Sequence, residues 1–374
     1  MKQSLEQHVG RVILLGPFPN DWRVIGKSLN RISKMVFRRS FDYDHTITRS
    51  RRMAGYFESR LSEAACDIIF APAGSNEIAF LETDIPILYS SDATFSLLED
   101  YYPYYSRLWP FSARTVREIE RRSLERSRIA VYPTTWAARS AREEYRLPRE
   151  NVVVIPYGAN AEPTSVSDAL KQKHVGPVCR LAFLAVEWWR KGGDIAFETL
   201  KELHYLGVAA ELTVIGCVPP REFRDEHLRV IPFLDKNRQE DRDRLEQILS
   251  GSHFLLVPTR AEAYGIVFCE ASAFGLPSIA TDTGGVSGVV REGKNGHLLP
   301  FNARGKDYAR VIESIWRVPS NYRNLVKSAR KEFEVRLNWD RWGREMGQLI
   351  NCMLGNAGRS VKGRHFHGSR VNIA

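Results

Sequence analysis

The sequence predicts an α/β protein built from two doubly wound domains in tandem. Three observations predict it. Short apolar runs that read as buried strands alternate with longer polar segments of helical character, which is typical of a parallel sheet covered by helices. The alternation stops at residues 158–176, a polar stretch without a strong period, and then restarts. The 374 residues of the chain are enough for two domains of ordinary size.

The first half of the chain contains five predicted strands with helices between them. The strands are Val12–Gly16, Ile68–Ala71, Ile85–Tyr89, Ile129–Tyr132 and Val152–Pro156. The helices are Trp22–Phe37, Gly55–Ala65, Ser112–Ser127 and Ala137–Tyr145. We therefore predict that residues 1–165 form an N-terminal Rossmann-like domain.

The second half repeats this order. Its predicted strands are Leu181–Val186, Glu211–Gly216, Leu228–Phe233, Phe254–Pro258 and Pro277–Thr281. Its predicted helices are Gly193–Leu206, Arg242–Leu249 and Ile266–Phe274. Residues 166–338 are predicted to form the second domain, and a late helix at residues 339–354 is expected to cross back onto the first. Residues 355–374 carry four bases, no acid and no apolar period, so we predict a flexible basic tail.

Composition excludes several classes of protein. No apolar run approaches the roughly 20 residues needed to span a bilayer, and the short apolar piece Val12–Leu15 reads as a first strand and not as a secretion signal. The five cysteines are scattered, odd in number and never in a CxxC pair. A disulfide framework or zinc site is therefore not predicted, and we expect a cytoplasmic protein.

Two glutamates, Glu262 and Glu270, carry the clearest chemical signal. Glu262 follows a buried strand and Glu270 lies in the first turns of the next helix, so both carboxylates are expected at the carboxyl edge of the sheet, where ligands of open α/β sheets bind. A helix start also suits a phosphate. Acids beside a phosphate site predict a ligand with hydroxyls and phosphates, such as a nucleotide sugar. The alternative is that one glutamate only caps the helix.

Adjacent cations follow another predicted strand. Arg190 and Lys191 stand before the glycine pair that opens the next helix, where they could clamp a diphosphate and stabilise the charge that grows on it when a glycosidic bond breaks. Taken alone, the same string is also consistent with a solvated loop.

Taken together, these strings resemble glycosyltransferase family 4 on a GT-B fold. The matching strings are RKGGD at 190–194, VIG at 214–216, VPTRAEAYGIVFCEASAFGLPSIATDTGG at 257–285, REGKNGHLLP at 291–300, YPTTWAARSA at 132–141 and VVVIPYGAN at 152–160. The resemblance runs from about residue 67 to residue 342 and is strongest over 257–300.

By this resemblance, two Rossmann-like domains face a cleft and the second holds most of the donor. Glu270 would accept hydrogen bonds from the ribose, Glu262 would lie near the transferred sugar, and Arg190 with Lys191 would hold the diphosphate. The remaining donor contacts would come from Gly216 and from the backbone at Tyr264, Gly265 and Ile266. The implied reaction is a metal-independent, retaining hexosyl transfer from a UDP- or GDP-linked sugar to a hydroxyl of a glycan or lipid-linked acceptor, as in polysaccharide biosynthesis.

The chain departs from the family pattern at three places. Asp92 stands where many members have a histidine close to the donor sugar, and it is assigned here to the catalytic set, with a helix N-cap as the alternative. Ala185 and Val186 stand where many members have an arginine. The usual glycine-rich turn after the first strand reads GPFPNDW, so the identity of the acceptor cannot be transferred.

A GT-B sugar-nucleotide epimerase and a non-catalytic nucleotide-sugar-binding partner remain as alternatives. The acids Asp42 and Asp44 follow no clear strand, so no metal site is predicted there. The arginine runs lack interleaved stacking aromatics, so no nucleic-acid partner is predicted.

A basic stretch from Arg23 to Arg60 contains ten Lys or Arg against three Asp or Glu, within a net charge of +10 for the chain. Its first helix also carries apolar residues. Two interpretations stay open. The helix could rest on the anionic inner face of a membrane as a peripheral contact, or it could be an ordinary surface helix with its apolar face in the core.

Overall fold

The computed structural model describes residues 1–19, 23–358 and 369–373. The chain divides into two compact units, Met1–Ile155 with Trp342–Ala374 and Pro156–Arg341. The sequence placed these boundaries at 165 and 338. Each unit is a parallel sheet with helices, as the alternation of apolar and polar segments predicted.

The first unit contains a six-stranded parallel sheet. Its strands are β1 (Gly10–Leu14), β2 (Ile68–Pro72), β3 (Ile87–Ser90), β4 (Ile129–Tyr132), β5 (Val152–Val154) and β12 (Ser369–Ile373), in the order β1-β12-β2-β3-β4-β5. Its helices are α1 (Lys2–His8), α2 (Arg23–Phe37), α3 (Ile47–Glu63), α4 (Ser75–Ile78), α5 (Phe95–Leu98), α6 (Pro110–Arg126) and α7 (Thr135–Glu143). Helix α15 (Trp339–Gly358) starts in the second unit and belongs to the first from Trp342 onward.

The prediction of a flexible tail over 355–374 is corrected at two places. Helix α15 continues to Gly358, and Ser369–Ile373 forms β12, which pairs in parallel with β1 and β2. A strand of this kind is held by ladder hydrogen bonds to partners hundreds of residues away, which local composition cannot reveal. Residues 359–368 and 374 of the predicted tail, and Trp22 of the first predicted helix, lie outside the described residues.

The second unit contains another six-stranded parallel sheet. Its strands are β6 (Cys179–Leu184), β7 (Ala210–Ile215), β8 (Leu228–Ile231), β9 (Phe254–Val257), β10 (Ser278–Thr281) and β11 (Gly296–Leu299), in the order β11-β10-β9-β6-β7-β8. Its helices are α8 (Val166–Lys171), α9 (Gly193–Tyr205), α10 (Gln239–Gly251), α11 (Ile266–Ala273), α12 (Val286–Val289), α13 (Gly305–Trp316) and α14 (Pro319–Val335). The sequence missed β11, α13 and α14, and read α8 as part of the linker.

Both faces of this second sheet are covered by apolar side chains. Along β6, Leu181 and Phe183 pack into one core while Ala182 packs into the other, and Phe254 and Leu255 of β9 divide in the same way. Successive side chains of a strand point to opposite faces, so a near-continuous apolar run marks a strand that is buried on both sides.

Helix α2 does not bury its apolar face. Ile25, Leu29 and Ile32 are all exposed, whereas Asn30 and Ser33 are buried. The interpretation of α2 as an ordinary surface helix with its apolar face in the core is therefore wrong. No helix among the described residues is long and apolar enough to cross a membrane.

The close approach of two loops in the second unit depends on Gly192, which lies between β6 and α9. Its φ is +75°, and a Cβ atom built there would lie 1.9 Å from the carbonyl oxygen of Pro258, directly after β9. Beside this contact, the Arg260 N–H donates to the carbonyl of Arg190 at 2.7 Å. A side chain at position 192 would force the two loops apart.

We expect Gly192→Ala to lower the free energy of unfolding by about 3 kcal/mol or more, because it adds a backbone clash to an unfavourable left-handed φ. Gly207→Ala is the matched control, since Gly207 has φ +72° with no atom near its Cβ position; it should cost about 1 kcal/mol. Urea denaturation of both variants measures the difference. Equal losses would show that the loops relax around the added methyl group.

Candidate functional site

The candidate site lies at the point where the second sheet changes direction. Connections from β6 run through β7 to β8 on one side, and those from β9 run through β10 to β11 on the other, while β6 and β9 are hydrogen-bonded neighbours. Loops after two such strands diverge and leave a crevice at the carboxyl edge, where ligands of open α/β sheets bind. The loop after β6 carries Arg190 and Lys191, and the loop after β9 carries Glu262.

The structure brings these three predicted residues together. Lys191 Nζ donates to Glu262 Oε2, and both side chains are buried. Arg190 Nη1 donates to the carbonyl oxygen of Ala261 at 2.9 Å, and its Nε donates to Glu187 Oε1 at 3.0 Å. A buried ion pair loses hydration that its own attraction repays only with good geometry and further hydrogen bonds. This pair lies at the carboxyl edge of the sheet, between the loops after β6 and β9, where ligands of open α/β sheets bind.

A second ion pair joins the start of α9 to the loop after β9, and the sequence analysis missed it. Arg260 donates from Nη1 and Nη2 to the two carboxylate oxygens of Asp194, at 2.8 and 2.7 Å. Burial acts to raise the pKa of Asp194, but the hydrogen bonds and charge of Arg260 outweigh it and hold the pKa below its ordinary value. Asp194 is the last residue of the string RKGGD and Arg260 directly precedes AEAYG, so both stood inside the motifs.

Gly265 is the N-cap residue of helix α11 and has a φ of +83°. A Cβ there would meet the Phe268 ring at 2.6 Å and Glu262 Cγ at 3.2 Å, so the helix start lies against the Glu262 side chain. The side chain of Tyr264 is buried, and its hydroxyl donates to the carbonyl of Tyr157 at 2.7 Å. The side chain of Tyr264 is therefore used for packing.

Glu270 lies one turn into α11, beyond Ile266, and is buried. Lys236 Nζ donates to Glu270 Oε1 at 2.7 Å. Burial raises the pKa of Glu270, and the charge of Lys236 offsets this only in part. The sequence analysis missed Lys236. The sequence pattern that could have identified Lys236 is a cation a few residues after a predicted strand that ends at this sheet edge. The same pattern identified Arg190.

Four further positions follow strands at this edge. Gly216 follows β7 with a φ of +99°, and a Cβ there would lie 2.8 Å from the carbonyl oxygen of Ala185. Gly285 N–H donates to the carbonyl of Glu262 at 3.1 Å, which links the glycine pair after β10 to the site. Ala185 is buried whereas Val186 is exposed, so of the two positions where many family members have an arginine, only that of Val186 faces solvent.

Asp92 lies in the other unit, exposed in the turn after β3. The N-cap position of α5 belongs to Thr94, so the alternative of Asp92 as that cap is wrong. In the same unit, the buried Asp42 accepts hydrogen bonds from the backbone N–H of Asp44 at 2.9 Å and from His45 Nδ1 at 2.8 Å. The carboxylate of Asp42 is thus occupied by its own loop.

Comparison with known families decides the identity. A profile described as "Glycosyltransferase Family 4" matches residues 11–163, and one described as "Glycosyl transferases group 1" matches residues 190–332. Together they cover most of both units. The chain belongs to glycosyltransferase family 4. This agrees with the resemblance seen in the sequence.

Curated relatives match only part of the chain. D-inositol 3-phosphate glycosyltransferase of Rhodococcus erythropolis is 35% identical over 98 residues, which are 26% of this chain and 22% of that protein. Granule-bound starch synthase 1 of Ipomoea batatas is 27% identical over 147 residues, which are 37% of this chain and 24% of that protein. The matches thus span about a quarter of the length of these relatives.

Solved structures match over most of the chain and show that the fold is GT-B. Sucrose-phosphate synthase from Thermosynechococcus elongatus aligns with a TM-score of 0.64 at 18% identity, covering 82% of this chain and 78% of that one. A glycosyltransferase from Rickettsia africae aligns with a TM-score of 0.63 at 12% identity and covers 95% of both chains. Anabaena HepE in complex with UDP and glucose aligns with a TM-score of 0.62 at 15% identity, covering 92% and 100%.

We expect Glu270→Gln to raise the unfolding temperature at neutral pH. The folded-state pKa of Glu270 lies above its ordinary value, so its contribution to stability is complete below the unfolded pKa and declines as pH rises through the folded pKa. A glutamine cannot ionise and escapes this decline. Differential scanning calorimetry of both proteins, from a pH below the ordinary glutamate pKa up to neutral pH, measures the effect.

Asp225→Asn is the matched control for this prediction. Lys201 Nζ donates to Asp225 Oδ2 at 2.8 Å, so the pair has the same chemistry, but the hydrogen bond of Lys201 lowers the pKa of Asp225. Its stabilisation is present above the unfolded pKa and lost as pH falls through the folded pKa. Asp225→Asn should therefore lower the unfolding temperature at neutral pH. Changes of the same sign in the unfolding temperatures of both variants would contradict the raised pKa of Glu270.

Proposed function

We propose that the protein is a retaining glycosyltransferase that moves a hexosyl group from a UDP- or GDP-linked sugar to a hydroxyl of a glycan or lipid-linked acceptor. The observation that carries the proposal is the buried Lys191–Glu262 pair, which joins the loops after β6 and β9 where the second sheet changes direction. The pair places a cation and an acid at the sheet edge where ligands of open α/β sheets bind, and a ligand that carries both phosphates and hydroxyls needs both kinds of group.

The donor nucleotide would lie along the start of α11. Glu270, held ready by Lys236, would accept hydrogen bonds from the ribose hydroxyls. The N–H groups of the first turn of a helix have no partner within it, so those at residues 264–266 would donate to the diphosphate. The close approach of the backbone at Gly216 would leave room for the nucleotide beside β7.

In the transfer step, the bond between the anomeric carbon and the diphosphate oxygen breaks, and the acceptor hydroxyl oxygen bonds to that carbon on the same face. The hydroxyl proton leaves with the departing phosphate. Negative charge grows on the diphosphate, and Arg190 and Lys191 would stabilise it in place of a metal ion. Glu262 would orient Lys191 and accept hydrogen bonds from the sugar.

The relatives support the choice of donor and the breadth of acceptors. Anabaena HepE was solved with UDP and glucose, and with UDP-glucose. The names of the other relatives include an inositol 3-phosphate glycosyltransferase, a starch synthase and a sucrose-phosphate synthase, whose named substrates and products are a small phosphorylated polyol, a polysaccharide and a sugar phosphate. The HepE structures support a nucleoside-diphosphate hexose as the donor, and the names of the other relatives differ in substrate and product.

Thermal-shift screening against UDP, GDP and ADP and their hexose conjugates should identify the donor. A ligand at 100 times its dissociation constant adds about 2.7 kcal/mol to stability, which corresponds to a rise of roughly 5–10 °C in a domain of this size.

Glu270→Ala should weaken the binding of the same nucleotide about 10- to 100-fold, because it removes a charge-assisted hydrogen bond. Asp225→Ala should leave it unchanged. A nucleotide that binds wild type and Glu270→Ala equally would show that the ribose lies elsewhere.

Lys191→Ala should lower kcat about 100- to 1000-fold, the range seen when a donor to a developing negative charge is removed, while Lys201→Ala should leave it unchanged. Lys191→Ala leaves the buried Glu262 carboxylate without its cation. The double variant Lys191→Met/Glu262→Gln therefore tests the loss of the Lys191 charge without leaving an unpaired buried charge. Sugar transfer should proceed equally in excess EDTA. Normal turnover in both Lys191 variants would refute the assignment.

A further inference from the structure

Helix α2 presents its polar side to the protein and its apolar side outward. Gly26, Asn30 and Ser33 follow helical spacing and are buried. Asn30 Oδ1 accepts from the N–H of Phe41 at 3.1 Å, and Ser33 Oγ donates to the carbonyl of Arg39 at 2.8 Å. Three small or polar residues, and not an apolar stripe, therefore fix this helix to the rest of its unit.

The outward side of α2 is a continuous apolar stripe. Ile25, Leu29, Ile32 and Val36 recur at spacings of four, three and four residues, which places them on one face, and between 49% and 59% of each is exposed. Phe37, also exposed, lies at the end of the stripe with its ring 5.6 Å from that of Trp109. Trp109 in turn stacks on the exposed Phe111. A contiguous apolar surface of this kind marks a binding surface.

Cations lie on the remaining side of the helix. They are Lys27, Arg31 and Lys34, with Arg38 and Arg39 directly after the helix end, and no acid occurs between residues 23 and 41. An isologous contact with a second copy would bring these like charges together. A partner surface with an apolar interior would bury the stripe, and a high density of negative charge on the same surface would bind the cations.

We propose that α2 docks the protein onto the surface of an anionic lipid bilayer, with its apolar stripe in the region of the acyl-chain boundary and its cations among the headgroups. A helix of 15 residues is about 22 Å long, and exposed leucine and isoleucine beside lysine and arginine match helices that lie in the membrane interface. The anionic headgroups contribute through the cations within about 10 Å at moderate salt. This docking is independent of the proposed sugar transfer.

Cosedimentation of the full chain with vesicles tests the proposal. Vesicles of equal parts phosphatidylcholine and phosphatidylglycerol should sediment the protein at low salt, and high salt should release most of it. Leu29→Ser/Ile32→Ser should weaken binding about 100-fold, because each of the two side chains removed from lipid forfeits about a tenfold factor. Arg31→Ser/Lys34→Ser should weaken binding to these vesicles about fivefold per charge.

The matched control is Val318→Ser/Val335→Ser, two exposed apolar residues of the second unit at 41% and 52% exposure, which should bind vesicles as wild type does. All variants are expected to unfold at the wild-type temperature, since only exposed side chains change. Absence of binding to the anionic vesicles at low salt would overturn the proposal, as would equal binding to phosphatidylcholine alone. Self-association that Leu29→Ser/Ile32→Ser abolishes, without vesicle binding, would instead make α2 an interface between copies. Because no donor is present, failure here leaves the proposed sugar transfer untouched.

Discussion

The contact between Gly192 and the carbonyl of Pro258 is the constraint on which the candidate site depends. Only a residue without a side chain can turn the chain there, because a Cβ atom would overlap the carbonyl oxygen. This close approach lets the loops after β6 and β9 share hydrogen bonds, and it places Lys191 against Glu262. The pairing of charged side chains at this sheet edge thus depends on the absence of a side chain at Gly192.

The ion pairs around this edge have opposite effects on the stability of the folded chain. The Asp194–Arg260 pair lowers the pKa of its acid and so stabilises the folded chain at neutral pH. Burial raises the pKa of Glu270, so the ionised carboxylate lowers the stability of the folded chain at neutral pH. A fold retains a costly buried acid where a ligand needs it, since sites selected for binding are seldom those that maximise stability.

Helix α2 shows how an amphipathic pattern can be identified correctly while its orientation is not. Its apolar residues have the period of a helix, and that period is the same whether the stripe faces a core or the outside. The sheet of the first unit is covered without this stripe, and Asn30 and Ser33 supply hydrogen bonds that hold the helix from its polar side. Orientation was therefore decided by partners at Phe41 and Arg39 and not by hydrophobicity.

The sequence by itself determined the fold class and the motifs, because alternation of buried strands with polar helices is a local property and because RKGGD and the paired glutamates are contiguous strings. Tertiary structure alone decided which cations meet which acids. Lys236 and Glu270 are separated by 34 residues, and Arg260 and Asp194 by 66, so only the order of strands brings them together. The same reason explains the misreading of Ser369–Ile373: a strand between β1 and β2 depends on hydrogen bonds to distant residues, and no local pattern records them.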